Sequence, residues 1–109
     1  MDTNAIRNEM LDAAGAAANN VVINKNAYSV GFAWMTVLPV NRGNSKIARE
    51  ERRTLENLGF KKQWTGAYKF QNPVNHSHNN IVIQAEGATA AAEVLRKYGF
   101  TVYVGSKFA

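Results

Sequence analysis

The side chains best placed to do chemistry lie between residues 42 and 49, where Arg42, Gly43, Asn44, Ser45, Lys46 and Arg49 lead into a helical pattern. Asn44 or Ser45 caps such a helix, and the cations then crowd a first turn whose amide N–H groups are free and whose dipole end is positive. That placement is unfavourable for cations, and a bound phosphate or carboxylate would resolve it. An anion-binding site is therefore expected over these residues, although Gly43 lacks the spacing of a nucleotide-binding phosphate loop. The same segment supports a plainer reading, a solvated helix face on which Lys46 with Glu50, and Arg52 with Glu56, stand at ion-pair spacing. His76 and His78 are one residue apart and could contribute to a zinc or copper site, but their loop holds no Cys, Asp or Glu as a third ligand. No metal and no cofactor are expected. The absence of cysteine removes thiol nucleophiles and disulfides, and with both histidines in one loop acyl-transfer chemistry has no local support.

With 109 residues and 46% hydrophobic composition, the chain fits one small domain with a core of its own. Its net charge of +5 is concentrated, because residues 25–69 carry nine basic side chains against three acidic ones. Such a bias favours an anionic partner, either nucleic acid or an acidic protein surface. No apolar run approaches the ~20 residues that cross a bilayer. Met1 to Asn20 lacks the basic start and leucine-rich centre of an export signal, so a cytoplasmic protein without membrane contact is expected.

The elements that must hold these groups are announced by a phrase used twice, Leu-x-x-(Leu/Tyr)-Gly-Phe, at Leu55–Phe60 and Leu95–Phe100. In each copy an apolar stripe closes a helix, glycine takes the position where positive φ is easiest, and phenylalanine opens a strand. Asp2-Thr3-Asn4 caps an N-terminal helix with Ile6, Met10 and Leu11 on its apolar side and small residues from Ala13 to Ala18. Residues 1–24 are read as this helical extension and residues 25–109 as the domain proper.

Tyr28 to Pro39 is read as a strand with Phe32, Trp34 and Thr36 on one face and Gly31, Ala33, Met35 and Val37 on the other. Both faces are largely apolar, so helices are expected over one and a partner subunit over the other, with Gly31 and Ala33 accommodating the N-terminal helix, another backbone or a ligand. Ile47, Leu55 and Leu58 are the expected buried positions of the helix that follows. Phe60 to Asn72 alternates as a second strand, in which Phe60, Trp64, Tyr68 and Phe70 form the core or, if they face solvent among the lysines, a stacking platform for single-stranded nucleic acid, and Thr65-Gly66 is a bulge or a hairpin turn. Ile81 to Ala85 reads as a third strand, Glu86-Gly87 as a turn, and the second helix begins near Ala88 with Ala91, Val94, Leu95 and Tyr98 buried. Phe100 to Val104 is the last strand, with Phe108 anchoring a short tail. The order is α followed by β-α-β-β-α-β, which predicts an α+β, ferredoxin-like two-layer sandwich with four antiparallel strands and one open sheet face.

Gly31-Phe32-Ala33-Trp34, Gly43-Asn44-Ser45-Lys46, Arg49-Glu50-Glu51-Arg52 and Trp64-Thr65-Gly66 resemble small, uncharacterised bacteriophage proteins over most of the chain after residue 28. That resemblance implies a viral accessory role without an assigned activity. The element order and Thr65-Gly66-Ala67-Tyr68 are also similar to phage S-adenosylmethionine lyases, in which a Tyr after Thr-Gly and a Glu before the third strand line an intersubunit substrate site. Tyr68 matches the first, and residues 75–80 offer no carboxylate for the second.

Three functions are thus expected in order. The first is a non-catalytic, self-associating binding protein whose basic half meets an acidic protein or nucleic acid. The second is the lyase, with Tyr68 as its site residue. The third is RNA binding on the open sheet face, set back because Asn80 to Gln84 has no aromatic residue for base stacking.

Overall fold

Both copies of the Leu-x-x-x-Gly-Phe phrase end a helix in the same way. The computed structural model describes residues 2–20, 31–41, 43–71, 73–74 and 80–108. Gly59 and Gly99 have φ of 107° and 96°. Phe60 N–H donates to Leu55 O at 3.0 Å and Phe100 N–H to Leu95 O at 3.1 Å, the six-to-one bond of a Schellman corner.

The elements are α1 (Thr3–Asn19), β1 (Gly31–Val37), α2 (Lys46–Leu58), β2 (Lys61–Lys62), β3 (Tyr68–Gln71), α3 (Ile81–Lys97) and β4 (Val102–Phe108). The sheet order is β2-β3-β1-β4, and every neighbouring pair is antiparallel. The two β-α-β units interleave: β3 lies between β1 and β2, and β1 lies between β3 and β4. The architecture is α+β, with three helices and a four-stranded antiparallel sheet.

The route to four strands differs from the expected one. Ile81 to Ala85 is not a strand beside β1 but the first turn and a half of α3. Asn80 is 1% exposed, and its Oδ1 accepts from the amides of Val82 at 2.9 Å and Ile83 at 3.3 Å. This cap overrides the β-branched run that follows it. Gly87 is therefore inside the helix rather than in a turn. The missing strand comes from the Phe60–Asn72 stretch, which Gln63 to Ala67 folds into a hairpin: Gln63 N–H donates to Ala67 O at 2.8 Å, and Gly66 has φ 91°. β4 also runs on through the expected tail. Residues 28–30, the Val21–Ile23 run and the loop with His76 and His78 lie outside the described residues.

Core residues come from one face of the sheet. Ala33, Met35, Val37, Tyr68 and Val102 are buried there together with Phe60, Leu55, Leu58 and Leu95, while Phe70 meets Phe60 edge-on at 5.5 Å. Ile6, Met10, Ala14 and Ala18 of α1 belong to the same cluster, so the N-terminal helix is part of the domain core. It lies chiefly on α3. The helix pressed onto Gly31 is α3 rather than α1, since a Cβ at Gly31 would stand 2.7 Å from Ile81 Cβ. Ile47 and Tyr98 are exposed, and Ala48 takes the buried position at the start of α2.

Two helical glycines respond oppositely to a methyl group. A Cβ at Gly15 meets nothing within 4 Å, whereas one at Gly87 would lie 1.9 Å from Val74 Cγ2 and 3.3 Å from the Ala14 carbonyl. Gly15→Ala is expected to stabilise the protein by about 0.5–1 kcal/mol through helix propensity. Gly87→Ala is expected to destabilise it by about 1–2 kcal/mol through overpacking. Urea unfolding of the two variants checks the signs.

Candidate functional site

The sheet face away from the helices is built by alternation. Residues directly opposite in antiparallel strands share a face. From β1 it takes Phe32, Trp34 and Thr36; their partners are Gln71 and Lys69 on β3, and Lys107, Gly105 and Tyr103 on β4. Lys61 of β2 stands opposite Lys69 and joins them. None of these residues belongs to the hydrophobic core. The face thus carries Phe32, Trp34 and Tyr103 among Lys61, Lys69 and Lys107, with no carboxylate.

Its centre is Trp34. A Cβ at Gly105 would stand 2.6 Å from the indole, so the bare glycine lets the ring lie down over β4. Phe32 packs beside it with ring centroids 6.3 Å apart and a tilt of 41°. Lys69 Nζ sits 4.5 Å from the indole centroid, a cation–π contact that places positive charge on the platform itself. Tyr103 is 56% exposed. Lys61 directly opposite Lys69 is a like-charge pair, which weakens a sheet unless an anion lies between.

The anion site expected at the start of α2 is divided. Ser45 caps the helix, its Oγ accepting from Ala48 N–H at 3.2 Å. Lys46 and Arg49 line a shallow hollow with Glu50 and Arg53. Gly43 instead faces a different cleft of about 410 Å³, shared with Arg52 and Lys62. Asn44 is exposed and lines neither, and Arg42 lies outside the described residues. The expected Lys46–Glu50 and Arg52–Glu56 bridges do not form; among the described residues the ion pair is Lys97–Glu9, reinforced by Tyr98 Oη donating to Glu9 at 2.8 Å. That pairing, first through the Lys97 bond, holds the Glu9 carboxyl below the usual carboxylate range.

Two successive α2 side chains are used on the loop after β1. The Glu51 carboxylate accepts from Val40 N–H at 3.1 Å and Asn41 N–H at 3.0 Å. Arg52 donates to Gly43 O at 2.8 Å. Helix and loop are thereby fastened at both ends of the turn.

Tyr68 lines the cleft with Thr65, Gly66 and Ala67, and its ring is buried. Burial pushes its phenol above the ordinary tyrosine value, with Glu56 adding to the shift, so it is a neutral hydroxyl at pH 7. The turn before β3 supplies no carboxylate beside it. Trp64, expected in the core, is 98% exposed at the hairpin tip. Among the described residues no group of His, Cys, Asp and Glu could hold a metal ion, and no helix is long and apolar enough to cross a membrane.

Tyr103 and Lys107 were not expected as site residues. The signal for them was present, since Tyr103, Gly105 and Lys107 keep a period of two after Val102. Removing the Glu51 carboxylate in Glu51→Ala is expected to free the loop, with faster hydrogen exchange at the Val40 and Asn41 amides and unchanged exchange in α3. Amide exchange followed by NMR reads both. No family model, curated protein or solved structure matches this chain.

Proposed function

We propose that this chain is a small, non-catalytic, phage-type accessory protein that binds single-stranded nucleic acid on its open sheet face, and that its interleaved β-α-β units make it a ferredoxin-like domain. The observation that carries the reading is the composition of that face: Phe32, Trp34 and Tyr103 interleaved with Lys61, Lys69 and Lys107. Bases stack on aromatic rings whatever their sequence, and lysines beside them take the phosphates. The objection drawn from Asn80 to Gln84 falls away, because Asn80 caps α3 and residues 81–84 are its first turn, and the aromatic residues of the open face sit on β1 and β4 instead.

Charge also selects among the partners expected from the sequence. A twofold self-association through this face would set lysines against lysines with no carboxylate to pair them, which disfavours the face as a homo-oligomer interface. The lyase reading is disfavoured by the cleft that Tyr68 lines, where Arg52 and Lys62 offer nothing to a sulfonium cation.

Fluorescence anisotropy with a labelled single-stranded oligouridine tests the proposal. The protein should bind at low salt, and Trp34→Ala or Tyr103→Ala should each weaken binding by roughly 10- to 100-fold. Lys107→Ala should weaken it and reduce the dependence of log K on log salt by about 1. A parent protein that ignores the oligomer, or a Tyr103→Ala variant that binds as the parent does, overturns the reading.

A further inference from the structure

The cleft between α2, the loop after β1 and the β2–β3 hairpin does not belong to the open face. Gly43 and Arg52 form one wall, Leu38 and Pro39 another, and Lys62 with Tyr68 the third. We propose that it is a separate binding site for a small organic anion, a carboxylate or phosphate monoester carried on an apolar body.

Four features lead there. The cleft is open on one side and has a volume of about 410 Å³, within the range of small-molecule pockets. Its walls are fixed in advance: Glu51 holds the Val40 and Asn41 amides, Arg52 holds Gly43 O, and the opposite hairpin is closed by the Gln63–Ala67 and Gly66–Gln63 bonds. A preformed site gives up little conformational freedom on binding. The charged side chains that line it are Arg52 and Lys62, with no Asp or Glu among the lining residues, although Glu56 and Glu51 stand close enough to act on the Tyr68 phenol. Neither cation has an ion-pair partner among the described residues, and the nearby Glu51 carboxylate is occupied by two backbone amides.

The Arg52 bond to Gly43 O uses one of five guanidinium N–H donors, which leaves the rest of a planar fork matched to carboxylate or phosphate oxygens. Lys62 adds a point charge from the facing strand. The neutral Tyr68 hydroxyl supplies a further donor. Leu38, 54% exposed beside Pro39, provides the apolar wall that a bare inorganic ion would leave unused. Acidic group and apolar body are therefore both specified.

The test is an amide-resolved NMR titration of the intact protein with benzoate, phenyl phosphate and, as a neutral match, benzyl alcohol. Saturable shifts at Gly43, Gly66 and Ala67 with benzoate or phenyl phosphate, absent with benzyl alcohol, support the site, and the stronger of the two acids identifies the head group. Lys62→Ala, an exposed edge-strand change, should weaken binding about tenfold. Arg52→Gln should weaken it at least as much. Trp34→Ala on the opposite face should leave it unchanged, so this site and the nucleic-acid reading fail independently. Equal shifts with benzyl alcohol, shifts that never saturate, or Lys62→Ala binding as the parent does would overturn the proposal.

Discussion

The close approach of α3 to its neighbours is the constraint on which the rest depends. At its start Ile81 presses on the bare backbone of Gly31, and one and a half turns later Gly87 meets Val74 and the Ala14 carbonyl of α1. Ala88, Ala91 and Ala92 continue the same small surface, so sheet, α3 and α1 stack with little side-chain bulk between them. Each contact excludes a larger residue, and each places a helix on the same side of the sheet. The large side chains of β1 are left for the other side. Phe32 and Trp34 face outward because Gly31 and Ala33 must face inward.

The corners of this arrangement were legible because they rest on local chemistry. A glycine four residues after an apolar helix position, followed by phenylalanine, fixes φ, two hydrogen bonds and the exit direction without reference to the rest of the chain. The caps at Asp2 and Ser45 were legible for the same reason. Ile81 to Ala85 was not, since Ile-Val-Ile-Gln-Ala satisfies a strand by type and a helix by spacing. The Asn80 cap and tertiary burial decided it together: Ile83, Gly87, Ala91 and Leu95 fall on one buried helical stripe, with Gly87 against Val74 and α1. The Thr65-Gly66 choice was likewise open until β3 had a partner in β1.

The candidate sites were legible in part. Local charge density pointed to residues 42–49, but direction around α2 separates Arg52, which turns back to Gly43 in the preceding loop, from Lys46 and Arg49, and only packing of α2 against the hairpin reveals which cations share a cleft. The aromatic platform was hidden for a different reason. Its members come from strands distant in sequence, so Trp34, Lys69 and Tyr103 become neighbours only through the sheet order. Alternation along each strand shows which residues share a face; register shows which faces combine.

A consequence follows from the helices all lying on one side. The buried core side chains lie on the covered face, while Phe32, Trp34 and Thr36 on the other are half-buried, with Gly105 as the bed under the indole. What the outward face presents and what the core packs are thus written largely in different residues. Substitutions among Lys61, Lys69, Tyr103 and Lys107 can therefore change that surface while the core that sets the architecture is inherited intact.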